Sequence, residues 1–335
     1  MSSPRAGLLS LVRLAARRSC LSLICFLLLA LPNSLESSRS GELGFYVTPG
    51  VALGVTVFNN LALVADEEAG VRVIDVSNPY RPTEVGFIDT PGLAYSVAIS
   101  GDLALVADHQ AGLHLIDLSN PRRPQRISTL RTRDAAYDVA LFDNLAVVAS
   151  GLAGVQIIDF SIPSRPREVG FVETSSLARG VTTLGGLALV ANFDEGLRVI
   201  DLAHPRGPRE VGSLDTPGIA FSVATLGNYA LVTDFNQGLR VIDISFPSSP
   251  REVGFIDTPG NTVGVAVHGG MALVTDGFEG LRVINVSVPS GPREVGFIDT
   301  PGFTFDVAAL DGGLALVANG VTGLRVIDIA GAALK

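Results

Sequence analysis

Three arginines and two neighbouring polar residues are the group in this sequence best suited to chemistry, namely the binding of an anion. Arg131 and Arg133 stand where most equivalent segments carry an acidic residue and proline, and Arg179 stands where they carry an apolar or aromatic residue. Guanidinium groups bind carboxylates through charge-assisted hydrogen bonds, and a local reversal of charge selects an oppositely charged partner. With Tyr137 and Asp138 beside them, these arginines predict a site for an acidic glycan or a carboxylate-bearing protein.

The same stretch departs from the pattern in one way that such a site does not require. Arg126 also replaces an acidic residue, but it lies toward the opposite end of its segment from Arg131. Relaxation of one repeat after duplication is therefore the alternative interpretation.

Two acidic loops suggest a second kind of site, one for a hard cation. Asp66-Glu67-Glu68 and Asp194-Glu195 offer carboxylate oxygens close to glycines, and calcium takes such ligands. Neither loop has the alternating Asp/Asn spacing of a known calcium loop. Calcium is thus the single cofactor that the residues suggest, and otherwise we expect none.

Residues for covalent or metal-dependent catalysis are not grouped in the sequence. A nucleophile needs a base, and the base an orienting acid. The histidines fall at unrelated positions of different segments, without metal-ligand spacing: His109, His114, His204 and His268. We expect each of them to be solvated or packed.

The segments that carry these residues are copies of one repeat. Its clearest mark is Gly-Leu-Arg-Val-Ile-Asp with variants, spaced by 42 residues except for a final interval of 43, and it begins at Gly70, Gly112, Gly154, Gly196, Gly238, Gly280 and Gly323. Such a period accounts for residues 41–335 as one repeat domain.

Each copy contains four short β-rich runs. In the second copy they are residues 94–100, 103–108, 113–119 and 126–131, separated by turn residues. Four antiparallel strands per repeat are typical of a propeller blade, and runs that are apolar on both faces suit sheets packed between two neighbours. A solenoid would need polar caps at its ends, which the array lacks. We therefore predict an all-β, seven-bladed β-propeller.

The phase of the repeat predicts how the ring closes. Residues 42–50 (ELGFYVTPG) match the outer-strand residues 294–302 (EVGFIDTPG), whereas the array ends after a third strand at residues 324–329. We expect residues 43–48 to form the outermost strand of the last blade, with Phe45 and Val47 buried, because this pairing removes an open sheet edge.

The repeat resembles a known family. Residues 113–117 (LHLID) and 197–201 (LRVID), each followed by Ser/Ala-x-Pro, are similar to the LVIVD repeat of bacterial and archaeal surface propellers. The resemblance covers nearly the whole chain after residue 40 and implies a propeller of generally unassigned role. The chain does not resemble WD-type propellers, because it has no tryptophan.

Residues that recur in most copies are expected to hold the blades together. The Asp that ends the repeat mark, replaced by Asn285 in the sixth copy, precedes a Ser-x-Pro-like turn and can accept backbone N–H bonds there. The recurring arginines, such as Arg72 and Arg198, are expected to form cross-strand ion pairs. We further expect an acidic face, formed by loop residues that include Asp66, Asp108, Asp234 and Asp276, and an opposite face with many arginines.

The first 40 residues differ from the rest. Arg5, Arg13, Arg17 and Arg18 precede an uncharged run at residues 19–32 (SCLSLICFLLLALP), which is typical of a secretory signal peptide; an uncleaved N-terminal anchor is the alternative, and the paired arginines faintly resemble a twin-arginine signal. Both cysteines lie in this segment, so removing it leaves no thiol.

These observations favour a non-catalytic binding or scaffold propeller that is exported to the periplasm, cell surface or medium, with an unknown protein, glycan or surface polymer as its ligand. The net charge of −9 argues against a nucleic-acid partner, and we expect membrane contact only through an uncleaved N-terminus. A hydrolase- or lyase-type enzyme with its site at the channel mouth and a structural envelope component are the alternatives.

Overall fold

A computed structural model describes residues 41–332; the predicted signal peptide or anchor, residues 1–40, lies outside them. In the described range the chain forms strands β1 to β28 and one short helix, α1 (Ile329–Ala332). The strands form seven four-stranded antiparallel sheets, and the first strands of successive sheets lie side by side. The predicted seven-bladed propeller is thereby confirmed. No helix in this range is long and apolar enough to cross a membrane.

The blades follow the chain in order. Blade 1 is β2 (Gly54–Phe58), β3 (Leu61–Ala65), β4 (Val71–Asp75) and β5 (Thr83–Ile88). Blade 2 is β6 (Ser96–Ser100), β7 (Leu103–Ala107), β8 (Leu113–Asp117) and β9 (Gln125–Leu130). Blade 3 is β10 (Asp138–Phe142), β11 (Leu145–Ala149), β12 (Val155–Asp159) and β13 (Arg167–Val172). Blade 4 is β14 (Gly180–Leu184), β15 (Leu187–Ala191), β16 (Leu197–Asp201) and β17 (Arg209–Leu214).

The remaining blades complete the ring. Blade 5 is β18 (Ser222–Leu226), β19 (Tyr229–Thr233), β20 (Leu239–Asp243) and β21 (Arg251–Ile256). Blade 6 is β22 (Val265–His268), β23 (Met271–Thr275), β24 (Leu281–Asn285) and β25 (Arg293–Ile298). Blade 7 combines β26 (Asp306–Leu310), β27 (Leu314–Ala318) and β28 (Leu324–Asp328) with β1 (Glu42–Tyr46).

The N-terminal strand closes the ring as predicted, because β1 pairs antiparallel with β28. The expectation that Phe45 and Val47 are buried is wrong: they are 48% and 56% exposed. The face of β1 that packs inward is that of Gly44, where a Cβ would lie 2.4 Å from the Pro79 carbonyl oxygen of blade 1. Phe45 lies on the opposite face, under the guanidinium of Arg325 at 4.6 Å.

The core consists of apolar layers between adjacent blades. Leu63 and Val71 of blade 1, for example, pack with Val97, Val106 and Ile116 of blade 2. Full burial of such a side chain contributes about 1.5–3 kcal/mol. Because both faces of each blade take part, the two middle strands have few polar positions.

The expected acidic face is partly wrong. Asp66, Asp108, Asp234 and Asp276 are fully buried, because each carboxylate fastens the corner that enters its blade. Asp66 accepts hydrogen bonds from Thr48 Oγ1 at 2.5 Å and from the backbone N–H of Gly50 at 2.9 Å. The Thr-Pro-Gly sequence therefore has an internal partner, and these four acids contribute no surface charge.

The predicted roles of the recurring Asp and Arg residues agree with the contacts. The Asp75 carboxylate accepts the backbone N–H of Ser77 at 2.9 Å, and Asn285 accepts that of Ser287 in the same way. Arg72, which is 8% exposed, lies over the ring of Phe87 at 4.7 Å and 3.9 Å from Glu84.

Candidate functional site

Seven residues at the beginning of the innermost strands lie around one mouth of the central channel. Each is held by a backbone hydrogen bond to its own second strand, as from Arg179 N–H to Ala191 O at 2.9 Å. The position is occupied mainly by apolar and aromatic side chains: Leu53, Tyr95, Tyr137, Arg179, Phe221, Val263 and Phe305. Arg179 is the charged member of this ring.

The Arg179 side chain reaches beyond its own blade. Its guanidinium carbon lies 5.2 Å from the ring centroid of Tyr137, 5.3 Å from that of Tyr95 and 5.7 Å from that of Phe221. These rings belong to blades 3, 2 and 5, so the group from blade 4 lies among side chains from both sides of the mouth. Its Nε is buried without a hydrogen-bond partner, and within residues 41–332 the guanidinium has no carboxylate within ion-pair distance.

His109 completes a cluster with the two tyrosines. Its ring stacks on Tyr95 with centroids 5.2 Å apart and meets the edge of Tyr137 at 5.2 Å. Burial lowers the pKa of His109, and the nearby positive charge of Arg179 lowers it further. The imidazole is therefore neutral at neutral pH, so Arg179 supplies the positive charge of the cluster.

Two carboxylates follow the ring of seven in the innermost strands. Asp138 accepts hydrogen bonds from Ser96 Oγ at 2.6 Å and from the backbone N–H of Val181 at 2.8 Å, and Asp306 accepts one from the backbone N–H of Val55 at 3.0 Å. Burial raises the pKa of both groups, that of Asp306 to about 6, with the charge of Asp138 adding to the effect. Each carboxylate therefore accepts a backbone N–H from the innermost strand of the next blade.

The five residues predicted for anion binding are only partly brought together. Tyr137 and Arg179 are in contact, and Asp138 lies beside them but is committed to backbone and serine donors. Arg131 is exposed at the end of the outermost strand of blade 2.

Arg133 is engaged elsewhere. Its Nη2 lies 2.6 Å from Glu168, and its guanidinium carbon is 3.5 Å from the ring centroid of Phe171.

The residues predicted for calcium occupy two different blades. In blade 1, Asp66 is buried in its corner; burial raises the pKa of Glu67, and the charge of Glu68 raises it further. In blade 4, Asp194 accepts a hydrogen bond from Ser176 and Glu195 pairs with Arg198. Among the described residues, no group of three or more His, Cys, Asp or Glu side chains is placed to hold a metal. Calcium binding stays an untested prediction.

Sequence reasoning missed Tyr95 and His109 as members of the cluster. The repeat gave a usable signal, because the column of Arg179 also contains both tyrosines. The loop column of His109 varies widely, since its members are Glu67, His109, Gly151, Phe193, Phe235, Gly277 and Gly320. The residues at this mouth therefore differ from blade to blade, whereas the strands that carry them have nearly the same sequence in every blade.

Comparison with solved structures places the fold among known propellers. The chain is similar to a chain in the crystal structure of the mitotic checkpoint complex, with a TM-score of 0.72, 15% identity, and coverage of 89% of this chain and 97% of that one. The WD40 β-propeller domain of Doa1 gives 0.70 at 9% identity, covering 87% and 97%. The computationally designed Ika8 protein gives 0.65 at 8% identity, covering 88% and 100%.

These likenesses concern the fold alone, and a search of the curated proteins finds no match to this chain. The family comparison is more specific. The model of the LVIVD repeat matches six successive segments, at residues 49–90, 91–132, 134–174, 177–216, 217–258 and 259–300. The matched segments end at residue 300, and the seventh blade takes its outermost strand from the other end of the chain. With six matched repeats and a seventh assembled from both ends, the chain belongs to the LVIVD repeat family.

Proposed function

We propose that this chain is an exported binding or scaffold propeller, and that its channel mouth holds a carboxylate-bearing ligand through Arg179 without chemical conversion. The observation that carries the proposal is the position of Arg179 among Tyr95, Tyr137 and Phe221, at 5.2 to 5.7 Å from their rings and without an anionic partner in the described residues.

The physical case rests on the cost of a charge that is partly removed from water. Such a charge is stabilised when a counterion completes its surroundings, and arginine presents a planar fork that fits a carboxylate with two parallel hydrogen bonds. Because the Nε of Arg179 is buried, the two terminal Nη groups would form this fork. We therefore expect a carboxylate to bind more tightly than a neutral group of equal size.

The rings favour an acidic glycan among carboxylate-bearing ligands. Tyrosine offers an apolar face together with a hydroxyl that hydrogen bonds, and the Tyr137 hydroxyl lies 3.4 Å from Nε2 of His109. Sugar rings need both kinds of contact. The composition of residues 1–40 supports export to a compartment where such glycans occur.

A thermal-shift screen of the purified protein with uronic-acid and matched neutral oligosaccharides tests the proposal, because a ligand of the folded state raises the melting temperature. We expect uronic-acid oligosaccharides to raise it and Arg179→Gln to abolish the shift. Arg131→Gln is the matched control, since Arg131 is exposed at the end of the outermost strand of blade 2. An equal shift in the Arg179→Gln variant would place the site elsewhere.

A further inference from the structure

In blade 2, Asp108, His114 and Thr129 form a chain of hydrogen bonds that the other blades do not share. His114 occupies the column that holds arginine in most other blades, and both of its ring nitrogens are engaged. Nε2 lies 2.8 Å from Asp108 Oδ2, and Nδ1 lies 2.7 Å from Thr129 Oγ1. His114 and Asp108 are fully buried, whereas Thr129, on the outermost strand β9, is exposed.

The partners of Asp108 fix the tautomer of His114. The carboxylate accepts hydrogen bonds from Thr90 Oγ1 at 2.6 Å and from the backbone N–H of Gly92 at 2.8 Å, so it is an acceptor toward His114 as well. Nε2 of His114 therefore carries a hydrogen, and in the neutral imidazole Nδ1 is the acceptor. In that neutral form Thr129 donates its hydroxyl proton to Nδ1, which is the direction in which a base activates a nucleophile.

The charges around this threonine are reversed relative to other blades. Glu84 and Asp89 of blade 1 lie 3.9 and 4.0 Å from the Arg72 guanidinium. Blade 2 has Arg126 and Arg131 at these two positions, and Arg126 pairs with Ile116, two residues along β8 from His114. The exposed hydroxyl is thus placed between two positions that favour an anionic substrate.

Ser128 and Thr129 point to opposite faces of the outermost strand β9. Most outermost strands have glycine where blade 2 has Ser128, and at Gly170 of blade 3 a Cβ would lie 2.1 Å from the Pro205 carbonyl oxygen of the next blade. Ser128 instead donates its hydroxyl to the equivalent oxygen, Pro163 O, at 2.6 Å. The groove of about 560 Å³ on this face, toward blade 3, is lined by residues that include Ser128, Ile162 and Arg165. The hydroxyl of Thr129 lies on the other face, with His114, where the residue is exposed to solvent and open to a substrate.

We propose that Thr129 is a nucleophile activated by His114, with Asp108 as the positioning residue, and that it hydrolyses anionic carboxylic esters. Thr129 Oγ1 attacks the ester carbonyl carbon while its proton passes to Nδ1 of His114. The bond from carbonyl carbon to alkoxy oxygen breaks, and His114 gives that proton to the leaving alcohol. Water then attacks the acyl-threonine, loses a proton to His114 and releases the acid, and His114 returns the proton to Thr129.

This proposal gives a second role to a site on the outer strand of blade 2 and does not depend on the channel mouth. A packing role for His114 is the competing explanation, since the residue fills the arginine column. The two explanations differ in whether Thr129 reacts.

The test is turnover and adduct formation with 4-nitrophenyl hydrogen succinate, an anionic ester, and with neutral 4-nitrophenyl acetate. Tryptic cleavage after Arg126 and Arg131 releases residues 127–131 (ISTLR), whose fragment masses distinguish Ser128 from Thr129. We expect an acyl group on Thr129 and faster turnover of the succinate ester. Thr129→Val should abolish both, and Thr129→Ser should retain them.

The variants of the base and its acid separate catalysis from packing. His114→Gln copies Gln156 of blade 3 and should slow turnover about 100-fold or more, while the melting temperature stays near that of the parent. Asp108→Asn copies Asn192 and Asn319, which occupy the same corner, and should lower kcat while KM stays near that of the parent, because the positioning residue does not touch the substrate.

Ser213→Ala is the matched control, because Ser213 holds the position of Thr129 opposite Arg198 in blade 4; it should leave turnover unchanged. Turnover that persists in Thr129→Val, an adduct on Ser128, or no turnover above buffer would overturn the proposal.

Discussion

The guanidinium of Arg133 lies 3.5 Å from the ring centroid of Phe171 and supplies to blade 3 the cation that its own repeat lacks. In blade 1 the corresponding contact is made by Arg72 over Phe87 at 4.7 Å, but blade 3 has Gln156 in that column. Gln156 Oε1 accepts the backbone N–H of Arg133 at 2.8 Å, which directs the arginine from the preceding corner toward Glu168.

Replacing Arg133 with Ser should therefore destabilise the protein. The side chain is 43% exposed, so solvent screens its ion pair with Glu168. We therefore expect a small decrease in the free energy of unfolding, larger than that caused by Arg131→Ser, from loss of the ion pair and the ring contact together. The measurement is the free energy of unfolding in denaturant. Arg131→Ser, at the exposed end of the same corner, should change it by less than about 0.5 kcal/mol; equal effects of the two substitutions would contradict the assigned role.

Removing the N-terminal strand should open the ring. A chain that begins at Val51 loses the pairing of β1 with β28, the 3.0 Å ion pair between Glu42 and Arg325, and the donors of Thr48 and Gly50 to buried Asp66. About five backbone hydrogen bonds contribute roughly 0.5–1.5 kcal/mol each. We expect calorimetry to show a melting temperature at least about 5 °C below that of a chain beginning at Gly41. Equal melting temperatures would refute closure by β1.

The carboxyl group of Asp306 should make the protein less stable as pH rises through its titration range. Its pKa is raised from an ordinary value of 3.8 to about 6 in the folded protein, so the folded state binds more protons than the unfolded state between these values. Stability that is fully present below pH 3.8 is lost as pH increases to about 6.

Asp306→Asn removes this titration, so its stability relative to the parent should increase between pH 4 and 6.5, by roughly 1–3 kcal/mol. Asp159 provides a control of opposite sign, because hydrogen bonds from Ser161 and Arg167 lower its pKa to about 2. In its case stability is lost as pH falls from 3.8 to about 2. Unfolding curves of Asp306→Asn and Asp159→Asn at several pH values test the pair, and parallel pH profiles for Asp306→Asn and the parent would disprove the assignment.

Close approach between outer strands and the next blade should make one class of glycine irreplaceable. A Cβ at Gly254 would lie 2.3 Å from the Pro289 carbonyl oxygen, a backbone atom, whereas no atom lies within 4 Å of a Cβ at Gly207. Gly254→Ala should cost roughly 1–3 kcal/mol through the overpacking it causes, and Gly207→Ala should be nearly neutral. A chemical denaturation experiment on both variants decides, and a neutral Gly254→Ala would mean that the blades can separate there.

The fold could be predicted because the same sequence pattern recurs in every blade. The Gly-Leu-Arg-Val-Ile-Asp sequence that begins at Gly70, with its copies, indicated the number of blades and the position of each strand. Even the closure followed from the match of residues 42–50 to residues 294–302. The burial of Phe45 was wrong because a strand pattern does not say which face of an outermost strand its neighbour covers.

The sites were harder because their contacts join positions far apart in sequence. Arg133 meets Glu168 35 residues later, in a blade whose own arginine is missing. His114 and Thr129 stand opposite each other only once the register of β8 and β9 is known. Asp66 and its equivalents were assigned to the surface because a turn position does not reveal that a carboxylate points inward.

The central claim is that Arg179 holds the carboxylate of a ligand at the channel mouth, and calorimetric titration with a single matched pair of ligands tests it most directly. Oligogalacturonate and its fully methyl-esterified form differ in charge but hardly in shape. We expect the parent protein to bind the acid at least about tenfold more tightly than the ester, and Arg179→Gln to remove this difference. Equal affinities of the parent for the two forms, or a difference that survives in Arg179→Gln, would contradict it.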